Sequence, residues 1–361
     1  MSELLITPLN AWHREHGVRM VPFAGWEMPV QYSGILDEHR QTRTAAGLFD
    51  ICHMGEFIVS GPGAESALAR IVTHDLTTLK PGKCRYGFML NERGGVLDDL
   101  IVYRLEDERF MTVVNGACIS SDLDWMRDHL PREIDIADRS METAKIDLQG
   151  PRSFEVLART IPGDWSGLGY FSFRTVTWDG YELLVSRTGY TGELGCEIYL
   201  PWNRAFGLWE RLTADPDVAP AGLGARDTLR LEVGLPLYGQ DLDRNHTPVE
   251  AGYGFMIKSQ ADFIGKAGLS TVRERLLPLV VDGRRSPRHG DEVLDPDGSR
   301  VGTVTSGSFA PSLGHCVALA YVAANRSEDD TFTIRSQRFE IPARKGTLPF
   351  YDQGTARMRL G

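Results

Sequence analysis

Between Tyr86 and Asn115, two aspartates, Asp98 and Asp99, stand inside an otherwise apolar strand, and this restricts the fold more than any other feature. Val96, Leu97, Leu100, Ile101, Val102 and Tyr103 put apolar residues on both faces of the segment, the pattern of a strand covered on both sides. Aspartate is depleted in strands, so the pair calls for a reason. The stretch reads as three strands joined by two tight turns. With Glu106, Asp107 and Glu108 as the second turn, Leu105 pairs with Arg109 and Asp99 falls opposite Asn115. With residues 91–94 as the first turn, Leu90 pairs with Gly95 and Tyr86 falls opposite Asp99. A phenol, a carboxylate and an amide then lie abreast, a set suited to a polar ligand. A bulge, or bonding of the acids to backbone donors, accounts for them equally well. Asp98, on the opposite face of the strand, is the internal contrast.

A chain of 361 residues exceeds one ordinary domain, and its 42% hydrophobic and 24% charged residues are those of a globular protein with ample core. No segment has the uninterrupted apolar length of a membrane span, and the start lacks a basic region and a small-residue cleavage site, so a cytoplasmic protein is expected. Cys52, Cys84, Cys118, Cys196 and Cys316 are scattered without a C-x-x-C, which argues against a disulfide framework or a thiolate zinc site. The nine histidines show no ligand spacing, so no metal is expected. A net charge of -10 argues against a nucleic-acid groove and leaves any anionic substrate to a local basic cluster. Nucleotide-binding, zincin and nucleophile-elbow motifs are absent.

Along the chain, a helix from Ile35 is expected to end at Gly47 as a C-cap, and Met54 precedes a strand starting at Gly55. Asp179-Gly180 reads as a hairpin turn. Gly189, Gly192 and Gly195 form a loop that lets backbone approach a ligand, with Tyr190 and Glu197 beside it, although turn chemistry alone also selects glycine. Arg226 and Arg230 lie four apart on one helix, facing either a ligand or Asp227 and Glu232. Beyond Gly265, frequent turn signals read as a small antiparallel barrel.

The motifs FAGWEMPVQY, HMGEF, MLNERGGVLDDLIVY, RTGYTGELGCE, GARDTLRLE, DFIGK and GTVTSGSFAPSL resemble, in order and over nearly the whole chain, the folate-binding aminomethyltransferase family, the T-protein of the glycine cleavage system. The resemblance implies an α+β fold of two intertwined N-terminal α/β subdomains with antiparallel sheets, spanning 1–272, and a C-terminal β-barrel over 273–361. It implies tetrahydrofolate as a substrate and a lipoylated H-protein as partner and source of the lipoyl group, with no nucleic acid and no membrane. By position, Asp99 matches the family's catalytic acid. Met54, Tyr86, Asn115, Tyr170, Tyr190 and Glu197 match other folate contacts, and Arg226 matches the cation for the glutamyl tail; the resemblance also offers Arg288, in the barrel, as a contact. Phe255 stands where relatives often carry Trp. The alternative within the same fold is a folate-dependent demethylase of a small methylated compound. A non-enzymatic folate-binding protein of iron-sulfur assembly is a third reading, but its K-G-C-Y-x-G-Q-E loop is missing.

Overall fold

The computed structural model describes residues 3–360; Met1, Ser2 and Gly361, which enter the expectations about the N-terminal start and the outer domain limits, lie outside the described residues. Two large sheets form the body of the α+β fold. The five-stranded sheet runs Lys83–Leu90, Val96–Glu106, Arg109–Val114, Gly55–Ser60, Asp135–Asp138 in spatial order. The six-stranded sheet runs Phe173–Trp178, Tyr181–Ser186, Gly195–Pro201, Thr143–Gln149, Ala46–Asp50, Val218–Pro220. The chain weaves between them. Ala46–Asp50 lies in the second sheet, Gly55–Ser60 in the first, and Thr143–Gln149 returns to the second. The two sheets meet over a shared apolar layer that includes Cys84, Tyr103, Met111, Val113, Phe173 and Tyr199.

Helix Leu223–Glu232 links this body to a closed barrel of six strands between Glu274 and Lys345. Alternating apolar residues such as Leu277, Leu279 and Val281 fill the barrel. Arg230 is the tie. Its guanidinium donates to Asp241 Oδ2 at 2.7 Å and to Ser306 Oγ at 2.8 Å, and Ser306 Oγ donates to the same carboxylate at 2.8 Å. Past the barrel the chain turns back, with the Tyr351 N–H on the Glu232 carbonyl at 2.8 Å and the Ala356 N–H on the Gly192 carbonyl at 3.1 Å. No helix among the described residues is long and apolar enough to cross a membrane.

Gly47 is not a helix cap. The helix Ile35–Thr44 stops before it, and Gly47 lies within the buried strand Ala46–Asp50, where a Cβ would sit 2.2 Å from Thr42 Oγ1. Close approach of helix and strand, not terminal geometry, selects glycine there. Asp179 and Gly180 do form the two-residue turn, at φ of 49° and 80°, with Trp178 opposite Tyr181.

Candidate active site

The three strands around Asp99 adopt a register that differs from the expected one on one side. Ile101 pairs with Val113, and continuing that register by two residues sets Asp99 against Asn115, whose Nδ2 bonds to the Asp99 carbonyl at 3.1 Å, as expected. That agreement survives although the turn is only Asp107 and Glu108, because a bulge at Leu105 restores the register. On the other side Tyr86 pairs with Ile101, and Phe88 faces Asp99. The first turn closes with the Asn91 N–H on the Gly95 carbonyl at 2.9 Å, and a further bulge follows between Met89 and Leu90. Together they shift the pairing by two residues. An even shift keeps every side chain on its face, so Tyr86 reaches Asp99 diagonally.

The trio is therefore assembled. Tyr86 OH donates to Asp99 Oδ2 at 3.0 Å, and Asn115 Nδ2 donates to Asp99 Oδ1 at 2.9 Å. The rings of Phe88 and Tyr253 pack edge-on to Tyr86 at 5.3 and 6.3 Å. Burial, and then the nearby charge of Asp98, push Asp99 up to about 7, while Tyr86 and Asn115 pull against them. Asp98 does point to the opposite face, but it is no independent contrast. Asn115 also donates its Nδ2 to Asp98 Oδ1 at 2.8 Å and its backbone N–H to Asp98 Oδ2 at 2.9 Å, because Asn115 caps the strand end and reaches both faces.

A second cluster grows from the six-stranded sheet. Asp147 pairs with Glu197 across neighbouring strands, two buried acids abreast. Each has its own cation. Arg226 donates to Asp147 Oδ2 at 2.7 Å, and Lys145 Nζ stands 3.4 Å from Glu197 Oε1 and 3.4 Å from Met54 Sδ. Thr188 Oγ1 adds a bond to Glu197 Oε2 at 2.7 Å. Burial raises Glu197, but Lys145 and Thr188 prevail and hold it below the usual carboxylate range. Burial wins at Asp147, which is pushed up to about 6 despite Arg226. The Arg226 guanidinium also lies 4.9 Å over the Tyr190 ring, whose hydroxyl donates to the Pro236 carbonyl. Burial, opposed first by Arg230, pushes the Tyr190 phenol upward, and the charges of Asp99 and Arg226 also reach it.

Tyr170 is 40% exposed, with Arg357 of the returning C-terminal segment 6.0 Å over its ring. Arg230 faces the barrel and Asp227, one of the two partners expected for it. Arg288 lies exposed in a barrel turn, its N–H on Asp291. Family models match this arrangement throughout. The GCVT N-terminal domain covers residues 9–261, and the glycine cleavage T-protein C-terminal barrel domain covers 274–352. The chain belongs to the aminomethyltransferase family. An aminomethyltransferase of Halothermothrix orenii is 42% identical over 95% of this chain and 99% of its own, and one of Rubrobacter xylanophilus is 45% identical over 96% and 94%. The crystal structure of glycine cleavage system aminomethyltransferase T from Bartonella henselae superposes with a TM-score of 0.92 at 35% identity, covering 98% of this chain and 99% of that one.

Sequence reasoning did not single out three interior residues of this aminomethyltransferase, Lys145, Asp147 and His53. The signal for the first two was present, since Lys145, Asp147 and Gln149 alternate with the apolar Ala144, Ile146 and Leu148 along one strand, a polar face turned inward. His53 offers no such pattern. Its Nδ1 has no hydrogen-bond partner among the described residues, and burial lowers its pKa to about 4, so it is a neutral group beside Arg226, Lys145 and Asp50.

Proposed function

We propose that this aminomethyltransferase accepts an aminomethyl group carried on the lipoyl arm of a partner H-protein and transfers its carbon to tetrahydrofolate. The products are 5,10-methylenetetrahydrofolate, ammonia and the dihydrolipoyl arm. The carbon loses its bonds to nitrogen and to sulfur and gains two bonds to folate nitrogens. Of the two protons those nitrogens release, one leaves with ammonia and one remains on the thiol.

The observation that carries this reading is the fixed carboxylate of Asp99, held from either side by Tyr86 and Asn115. As ammonia departs, positive character grows on the methylene carbon. A carboxylate already oriented and partly shielded from water stabilises that charge without reorganising. The same group accepts an N–H of the pterin and so holds the attacking nitrogen in line. The second cluster suits the other end of the ligand. Arg226 commits one Nη to Asp147, and its remaining N–H groups make no hydrogen bond among the described residues. A carboxylate tail supplies the matching charge-assisted partner, which a chain of net charge -10 otherwise repels. Tyr190, Met54 and Tyr170 supply flat or polarisable surface for the aromatic middle of such a ligand.

The test is release of ammonia and methylenetetrahydrofolate from aminomethylated H-protein by the purified chain. Absence of both, with methyl transfer from a small methylated donor, would replace this reading with that of a demethylase.

A further inference from the structure

Behind Asp99, on the other face of its strand, lies a second acid pair that the reaction above does not use. Asp98 is fully buried, and Asp122, on the helix Ile119–His129, is 1% exposed. One ligating atom from each of Asp98, Asp122 and Cys118 falls within 4.8 Å of the others. Two carboxylates this close in so dry a place do not both ionise. The donors around them show where the hydrogen sits. Asp98 receives N–H groups on both oxygens, from the backbone and the side chain of Asn115. Asp122 Oδ2, in contrast, meets no donor among the described residues. A buried oxygen without a donor is satisfied by carrying the hydrogen itself.

Asp99 shares its strand with Asp98, Cys118 precedes the helix of Asp122, and Tyr238 and Arg244 approach from the segment before the barrel. Arg244 is the cation that acts on Asp122, and both line a cavity of about 460 Å³ that also carries the charged side chains of Glu92, Arg93, Asp124 and Asp128. Burial, and then the charge of Asp98, drive Asp122 upward against Arg244, in agreement with the donor pattern.

We propose that Asp122 donates a hydrogen to Asp98, that the pair thereby carries one negative charge, and that Asn115 couples this charge to Asp99, making Asp98 and Asp122 positioning residues for the transfer reaction. The proposal rests on Asp99 being the catalytic carboxylate. Its consequence is specific: one charge, not two, sets the pH at which Asp99 ionises.

The experiment compares the pH dependence of kcat for Asp98→Asn and Asp122→Asn in the full chain, together with infrared titration of isotope-labelled aspartate carboxyls without substrates. Asp122→Asn keeps a hydrogen donor against an ionised Asp98, so the acidic limb stays in place. Asp98→Asn removes the charge; burial, the larger cause, still keeps Asp122 protonated, which infrared titration of this variant reads directly, and the limb moves down by roughly one unit or more. Well above neutrality, the wild-type chain shows a protonated-carboxyl band that Asp122→Asn lacks. Equal downward shifts in both variants would mean that Asp122 is ionised and would overturn the proposal. So would an unmoved limb in Asp98→Asn, or a stoichiometric metal ion in the purified chain. Should Asp98→Asn fail to fold, the infrared band and the limb of Asp122→Asn decide. Wild-type turnover and an intact limb in Asp99→Asn would refute the catalytic reading alone, since the infrared titration reports the Asp98 and Asp122 pair without turnover.

Discussion

Arg226→Ala tests how the second cluster is held. The substitution removes the cation from Asp147, which is fully buried, and stranding a buried carboxylate ordinarily costs about 3–5 kcal/mol. Asp147 has another response. Burial, opposed by Arg226, already brings its pKa to about 6, so taking up a proton near pH 7 costs only about 1.4 kcal/mol. Once neutral, the carboxyl no longer needs the guanidinium. The loss through this pair is therefore limited to about 1.4 kcal/mol near pH 7, about twice that near pH 8, and close to nothing below about pH 6. The sign follows from the raised pKa. The folded variant holds its proton to higher pH than the unfolded chain does, so it loses stability relative to wild type only as pH rises above about 6. Loss of the cation over the Tyr190 ring adds about 0.5–1 kcal/mol at every pH. Folate affinity should fall about 10- to 100-fold, as expected for a lost charge-assisted hydrogen bond of about 1.5–3 kcal/mol. Denaturant unfolding across this pH range, with Asp147→Asn completing a double-mutant cycle, and calorimetric folate binding measure both effects. A pH-independent loss of several kcal/mol would show that Asp147 remains charged and stranded, refuting the reasoning. No loss near pH 8 would show that the pair does not form in solution.

Asp99→Asn should lower kcat by about 10²-fold or more while the chain stays folded, and the rise of wild-type kcat with pH through about 7 should disappear with it. A circular dichroism melt beside the kinetic assay separates lost chemistry from lost structure. His246 is pushed down by burial but raised overall by Asp243 and Glu274, at 2.9 and 3.0 Å, so its contribution to stability is full below its unfolded pKa and is lost as pH rises through its higher folded value. Melting temperatures of wild type and His246→Gln should converge as pH rises, and a constant gap would refute the linkage. Gly87→Ala should lower the urea midpoint by an amount equivalent to about 1–3 kcal/mol, because a Cβ there would lie 2.6 Å from Cε1 of the buried His74 ring. An unchanged midpoint would mean that the ring moves aside freely.

Much of this aminomethyltransferase is legible in its sequence, where the determining interaction is local. The Asp179-Gly180 turn follows from dihedral preference, the barrel strands from their frequent turn signals, and the three strands between Tyr86 and Asn115 from apolar residues on both faces between two tight turns. Even the meeting of Asp99 with Tyr86 and Asn115 was readable, since an even slip in register leaves each side chain on its face. Contacts between distant segments were not. Nothing near Arg226 in sequence shows that Asp147, 79 residues before it, will claim one arm of its guanidinium. Asp98 looked like a neutral neighbour because alternation sends it to the far face. Only the folded chain brings Asp122 against it and lets Asn115, at the strand end, bond to both aspartates. Periodicity states which way a side chain points; which charge it meets there depends on how the two sheets and the barrel close on one another, and that was decided by the tertiary structure.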